Sequence, residues 1–164
     1  MSFHVRRAAI GDEATLRAVR LAALEDALQF FCTSYAREAA YSTADWRRWI
    51  TGSAVFLLES DGATRGMACG KRDDAQPDRV HLLGMWVHPE ARGSGAAAAL
   101  VAAVKEFAAA SGATHVRLGI VEGNARAQRC YERAGFRLTG HSQQLDCNAN
   151  PELEMICELP AVKE

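Results

Sequence analysis

Arg79-Val80-His81-Leu82-Leu83-Gly84-Met85-Trp86-Val87-His88-Pro89-Glu90-Ala91-Arg92-Gly93-Ser94-Gly95-Ala96-Ala97-Ala98-Ala99-Leu100-Val101-Ala102-Ala103-Val104-Lys105 carries the strongest local signals in the chain. Val80 to Val87 is an apolar run with β-branched residues and predicts a strand. Pro89 cannot donate to a ladder and biases His88 towards an extended backbone, so the strand stops there. Gly93 and Gly95 allow a tight turn. Beyond it Leu100, Val104 and Phe107 recur at i, i+4 and i+7, which predicts a helix opening at Ala96. A strand that feeds a Gly-rich turn at a helix mouth is an anion-binding device, because the first N–H groups of the helix lack partners and carry partial positive charge. Arg92 adds a full positive charge beside it. These residues predict a cradle for a phosphate or a pyrophosphate, and the small side chains of Ala96 to Ala99 permit close approach of the helix to ligand and sheet.

Working outward, Phe3 to Ala8 reads as a first strand, and Gly11-Asp12-Glu13 as a turn, a cap and an acidic first helical turn. Leu16, Val19, Leu21, Leu24 and Leu28 then follow helical spacing. Thr43-Ala44-Asp45 starts a second, short helix carrying Trp46, Trp49 and Ile50 and ending at Gly52. Ala54–Glu59 reads as a strand covered on both faces, Ser60-Asp61-Gly62 as a turn, and Thr64–Lys71 as its antiparallel partner. Ser111-Gly112 stops the Ala-rich helix. Thr114–Val121 is a strand, Asn124–Ala134 a helix ended by Gly135, and Phe136 opens another strand. Leu153, Met155, Cys157 and Leu159 alternate with mostly polar residues in a last one.

The chain has 164 residues, 49% apolar and 24% charged, which suits one globular domain spanning 1–164. A net charge of −1 argues against a dedicated nucleic-acid surface. The five cysteines, Cys32, Cys69, Cys130, Cys147 and Cys157, are odd in number and lack a Cys-x-x-Cys pair, so they suggest neither a disulfide framework nor a zinc site. With no apolar leader and no run near 18 apolar residues, a reduced cytoplasmic setting away from membranes is expected.

Arg92-Gly93-Ser94-Gly95-Ala96-Ala97 resembles the Arg/Gln-x-x-Gly-x-Gly/Ala loop of the GCN5-related N-acetyltransferases, the GNAT superfamily. Met85-Trp86-Val87-His88-Pro89 looks like that family's strand just before the loop. Asn124-Ala125-Arg126-Ala127-Gln128-Arg129-Cys130-Tyr131-Glu132-Arg133-Ala134-Gly135-Phe136 resembles its second signature, Asn-x-x-Ala-x-x-x-Tyr followed by Gly-Phe. The two motifs, in this order, cover roughly residues 80 to 140.

The resemblance implies an α/β (α+β) fold of the GNAT acyl-CoA N-acyltransferase type. Its mixed sheet would have six to seven strands, splayed between the fourth and fifth, with about four helices. It implies acetyl-CoA as co-substrate, no metal, and transfer of the acetyl group to a primary amine by direct attack through a tetrahedral intermediate. The pyrophosphate would lie on the N–H groups of Gly93, Ser94, Gly95, Ala96 and Ala97 beside Arg92. The backbone of Met85, Trp86 and Val87 would pair with the pantetheine arm as an added strand, Gly84 allowing a bulge just before them. Asn124 and Ala127 would face the cofactor, and Tyr131 would protonate the departing thiolate.

In several members a Glu on the strand equivalent to Val80–Val87 acts as base; here that position is His81, a departure. Glu38, in Phe31-Cys32-Thr33-Ser34-Tyr35-Ala36-Arg37-Glu38, is a second candidate, in a region that lines the acceptor pocket in this family. Phe30, Phe31, Tyr35 and Trp86 are candidates for an apolar acceptor pocket.

Two other readings stay open. One is a CoA-binding module of the same fold without catalysis. The other is a dinucleotide-dependent oxidoreductase, because Gly93-Ser94-Gly95-Ala96-Ala97-Ala98 also fits Gly-x-Gly-x-x-Ala; too few residues follow Glu122 to complete its second half. The acceptor, a small-molecule, peptide or protein amine, is not legible, and neither is a homodimer.

Overall fold

Backbone pairing organises residues 2–161, the part of the chain that the computed structural model describes, around a seven-stranded sheet. The elements are β1 (His4–Arg7), α1 (Glu13–Ala27), α2 (Tyr35–Ala39), α3 (Thr43–Gly52), β2 (Ala54–Ser60), β3 (Ala63–Arg72), β4 (Arg79–Val87), α4 (Ala96–Ala110), β5 (His115–Val121), α5 (Ala125–Arg133), β6 (Arg137–Gln143) and β7 (Glu152–Glu158). Spatial order is β1-β2-β3-β4-β5-β7-β6. All neighbours are antiparallel except β4 and β5, which α4 joins in parallel. The expected mixed sheet is therefore present, with seven strands.

The sheet is covered on both faces. Leu100, Val101 and Val104 of α4 pack with Leu58, Ala68, Val80 and Leu82 on one face. Leu16 and Val19 of α1 and Trp46 and Ile50 of α3 pack with Val55, Leu57, Met67 and Cys69 on the other. This explains why β2 reads as a continuous apolar run rather than an alternating one. Ser42 caps α3, its side chain accepting from the Asp45 N–H while Asp45 reaches back to the Ser42 N–H. The short α2 was not anticipated. One turn is too brief to show a period, and its signal is the Ser34 cap, whose side chain accepts from the Arg37 N–H.

Two irregularities of β4 shape the middle of the sheet. The first is an extra residue: Cys69 lies opposite Leu83 while Met67 lies opposite Trp86, a bulge around Gly84, which holds φ +61°. One extra residue exchanges the faces of everything after it. Val80 and Leu82 face α4, but beyond the bulge it is Val87 that joins the α4 side while Trp86 joins the α1 side. The second is the separation of β4 from β5. They pair at Arg79–His115, Val80–Val116 and His81–Arg117, and the pairing stops there, whereas β5 stays paired to β7 along its length, to Val121–Glu152.

The cysteine reading needs a correction. Cys32, in the segment between α1 and α2, is joined by a disulfide to Cys147, in the connection between β6 and β7, with Cα atoms 5.4 Å apart. Sequence spacing cannot reveal a pair 115 residues apart whose proximity comes from the sheet. The Asn148 side chain also donates to the Gln29 carbonyl at 2.6 Å, so the two connections are tied twice. A long closed loop gives a disulfide much of its effect on the unfolded chain. Cys32→Ser is expected to cost about 2–5 kcal/mol, read as a lower denaturation midpoint under non-reducing conditions. Adding a reductant to both proteins should erase that difference; equal midpoints without reductant would show that the thiols are not joined in solution.

Candidate active site

A cleft of about 1240 Å³ opens where β4 and β5 part. Leu82 to Val87 border it from β4, and Arg117 to Val121 from β5. The starts of α4 and α5 also border it, as do the end of α1 and the segment through Thr33. The His88 N–H donates to the Arg65 carbonyl on the β3 side at 2.7 Å. By strand alternation the Val87 N–H points the opposite way, into the gap that β5 has vacated.

The glycine turn has the form its sequence implies. Gly93 and Gly95 hold φ +79° and +87°, a region that a side chain would strain, and Gly95 is the N-cap residue just before α4. It offers no side-chain cap, so the first N–H groups of α4 are without a helical or side-chain acceptor. The Ser94 hydroxyl donates to the Ala91 carbonyl at 2.5 Å and closes the turn from within. Arg92, Gly93, Ala97 and Ala98 border the cleft here; Ala96 turns into the core beneath. Arg92 is not a loose charge. Its Nε donates to the Val87 carbonyl at 3.0 Å and its Nη2 to Asp26 at 2.6 Å.

Across the cleft, Asn124 caps α5, its side-chain oxygen accepting from the Ala127 N–H at 3.3 Å. Asn124, Ala127 and Tyr131 all border the cleft. Tyr131 is 7% exposed and meets the Phe136 ring edge-on at 5.8 Å. Burial, and secondarily the neighbouring Cys130, push its phenol pKa well up, so the ring carries a neutral hydroxyl throughout the ordinary pH range. A neutral phenol is a proton donor.

The two candidate bases lie elsewhere. His81 sits beside the closed part of the β4–β5 pairing, its Nε2 2.8 Å from Asp73. Asp73 also takes the Arg79 fork, which together with His81 holds its carboxyl far below the usual range. Glu38 is 3% exposed and accepts twice from Arg20, at 2.8 and 3.2 Å. Neither side chain is among those bordering the cleft. Of the aromatic candidates, Phe30, Phe31 and Trp86 border it, while Tyr35 is exposed outside it.

Two residues that sequence reasoning passed over belong to the site. Asp26, at the end of α1, accepts from both the Trp86 indole at 2.9 Å and Arg92, and so joins the helix layer to β4 and the glycine turn. Nothing local in the sequence marks it. Arg20 does carry a mark: it stands four residues from both Leu16 and Leu24, in the middle of the apolar face of α1. Among the described residues no group of three or more potential metal ligands comes together, and no helix is long and apolar enough to cross a membrane.

Residues 21–136 match the acetyltransferase (GNAT) family model. The chain belongs to the GNAT acetyltransferase family. Relatives from Mycobacterium bovis and Mycobacterium tuberculosis, each described as an uncharacterised N-acetyltransferase, are 40% identical over 105 residues. That alignment covers 63% of this chain and 66% of the relatives, a little under two thirds of their length. The GNAT fold is also evident in solved structures. A GNAT-family acetyltransferase from Streptococcus pneumoniae superposes with a TM-score of 0.82 over 97% of this chain and 100% of its own, at 18% identity. The yncA protein of Salmonella typhimurium, solved with its cofactor acetyl-CoA, gives 0.78 over 100% and 98%, at 20% identity. In this GNAT chain the sheet opens after its fourth strand.

Asp26 gives this site a pH signature. The Trp86 indole, then Arg92, hold its carboxyl pKa below the ordinary value. Its stabilising effect is therefore complete above the unfolded pKa of about 3.9 and is lost as pH falls through the lower folded value. Denaturation curves measured below about pH 4 should show the wild type losing stability more steeply than Asp26→Asn; parallel acid branches would remove Asp26 as the link between α1 and Trp86.

Proposed function

We propose that this chain moves an acetyl group from acetyl-CoA to a primary amine. The observation that carries the reading is that Tyr131, the open edge of β4 and the uncapped start of α4 border one cleft. The fit to the cofactor rests on main-chain groups: a β4 edge without a strand partner and helix N–H groups without acceptors are what an extended arm ending in a diphosphate would satisfy. Met85 to Val87 would hold the arm, Arg92 to Ala97 the diphosphate, and Asn124 and Ala127 the opposite side. When bound, acetyl-CoA supplies an acetyl thioester whose leaving group is a thiolate.

What this chain's own residues do follows from their surroundings. The Val87 N–H faces the gap and is placed to polarise a carbonyl there. Tyr131 keeps a proton on Oη that it can give to a departing sulfur. Asp26 holds Trp86 and Arg92 in position, fixing the two ends of the segment between them. An uncharged amine attacks the thioester carbonyl directly, with neither a metal nor a cysteine nucleophile. The C–S bond breaks, sulfur takes the Tyr131 proton, nitrogen sheds its proton to water, and water restores the phenol. His81 and Glu38 receive no base role, being turned to Asp73 and Arg20. The reduced cytoplasmic setting suggested by scattered cysteines sits uneasily with the Cys32–Cys147 bond, because cytosolic thiols are kept reduced.

A panel of primary amines with acetyl-CoA, read by release of free thiol, tests the proposal. Turnover is expected with at least one amine, and Tyr131→Phe should lower kcat about 10²–10⁴-fold while acetyl-CoA still binds. Unchanged turnover in that variant removes Tyr131 as the acid. Tight acetyl-CoA binding without turnover on any amine would make the chain a CoA-binding module instead.

A further inference from the structure

Arg20 is a charged residue in the middle of a helix's apolar face, and its side chain is 9% exposed. Three features fix its position. Glu38 takes the Nε and Nη2 donors as a two-pronged fork. The Phe31 ring lies 4.7 Å from its central carbon, and the Trp49 ring 5.2 Å. Both rings border the cleft, as does Arg20.

The third nitrogen, Nη1, is different. It is buried and has no hydrogen-bond partner. A buried donor on a charged group normally finds an acceptor, because leaving it without one sacrifices its hydration for nothing. The place it occupies is specific: a Cβ built on Gly84 would stand 3.8 Å from Nη1. Gly84 is the bulge residue of β4, bordering the cleft just before Met85. Its lack of a side chain leaves about one atom's width beside Nη1, with Met67 Cε and Cys69 Sγ 3.5 and 3.7 Å from the same point.

We infer that Arg20 recognises a carboxylate on the acceptor, so that the amine acetylated by this chain belongs to an amino acid or a similar amino-carboxylate; this rests on the acetyltransferase reading above. A guanidinium whose orientation is already set by one carboxylate, and whose Nη1 still lacks an acceptor, matches the planar oxygens of a second one. The charge of the cleft favours the same chemistry: arginines outnumber carboxylates along its walls, Asp26 and Glu152 being the acids. Asp26 is held by Trp86 and Arg92, and Glu152 lies 3.5 Å from Arg117, so a polycationic amine would find no free counter-charge in these two. An acceptor bound through its carboxylate at Arg20 would present its amine towards Met85 to Val87.

The test compares an amino acid with the amine left by removing its carboxyl group, for several side chains, using the full-length protein, acetyl-CoA and thiol release. The carboxylate-bearing member of each pair should show a kcat/KM about 10- to 100-fold higher, the range of one charge-assisted hydrogen bond. Arg20→Lys keeps a cation for Glu38 but loses the fork, so it should raise KM for the amino acid by a similar factor. Its kcat/KM with the decarboxylated amine should fall by a clearly smaller factor than with the amino acid. A double variant, Arg20→Gln with Glu38→Gln, leaves no lone buried charge and should erase the difference within each pair. Equal rates for the paired acceptors in the wild type, or an Arg20→Lys variant that slows both members alike, would overturn the assignment while leaving acetyl transfer standing. No turnover with any amine would instead overturn the acetyltransferase reading. Should both variants fail to bind acetyl-CoA, the wild-type comparison alone decides.

Discussion

Three ladder pairs join β4 to β5, and then the strands part. Backbone donors and acceptors in the interior of a sheet are costly to leave unpaired, so a sheet that opens in the middle offers an edge on which an extended partner can pair. The rest of the molecule is arranged around this opening. The bulge at Gly84 sends Val87 towards α4 and Trp86 towards α1. The glycine turn stops α4 short of the gap with its first N–H groups free of side-chain caps. The capped start of α5 and the side chain of Tyr131 border it across from these.

The far wall of the cleft is held by polar contacts rather than by the sheet. Asp26 ties α1 to both Trp86 and Arg92, and the Arg20–Glu38 fork ties α1 to α2 in a nearly dry environment. The two are not equivalent. Asp26 and Arg92 are each about one third exposed, and ion pairs of that kind contribute little alone. The Arg20 fork is buried, where removing one partner strands a charge and costs far more than the pair adds. A buried fork of this sort mainly fixes geometry, and here it leaves one nitrogen unspent beside Gly84 of β4.

How much was legible depended on the range of the signal. Gly93 and Gly95 declared themselves because a left-handed backbone narrows the choice of residue to very few, and Pro89 because it cannot continue a ladder. The strands and long helices followed from apolar periodicity, and the Asn124-to-Tyr131 spacing placed both residues along one helix. The one-turn α2 fell below the length at which periodicity speaks. His81 and Glu38 were reasonable as chemistry, and their partners, Asp73 and Arg20, lie 8 and 18 positions away, so the pairings could not be read from residue type. The same is true of Cys32 and Cys147, and of Asp26, which meets Trp86 across 60 residues.

The amino-acid sequence by itself determined the order of strands and long helices, the glycine turn at the mouth of α4 and the family to which the chain is similar, because each depends on contacts within a few residues or on a short motif. Only the tertiary structure decided which charged groups face the cleft, which are spent on one another, and that Arg20 keeps a nitrogen in reserve. Those outcomes arise where elements distant in sequence are packed at atomic contact, and there the partner, not the residue type, sets what a side chain is free to do.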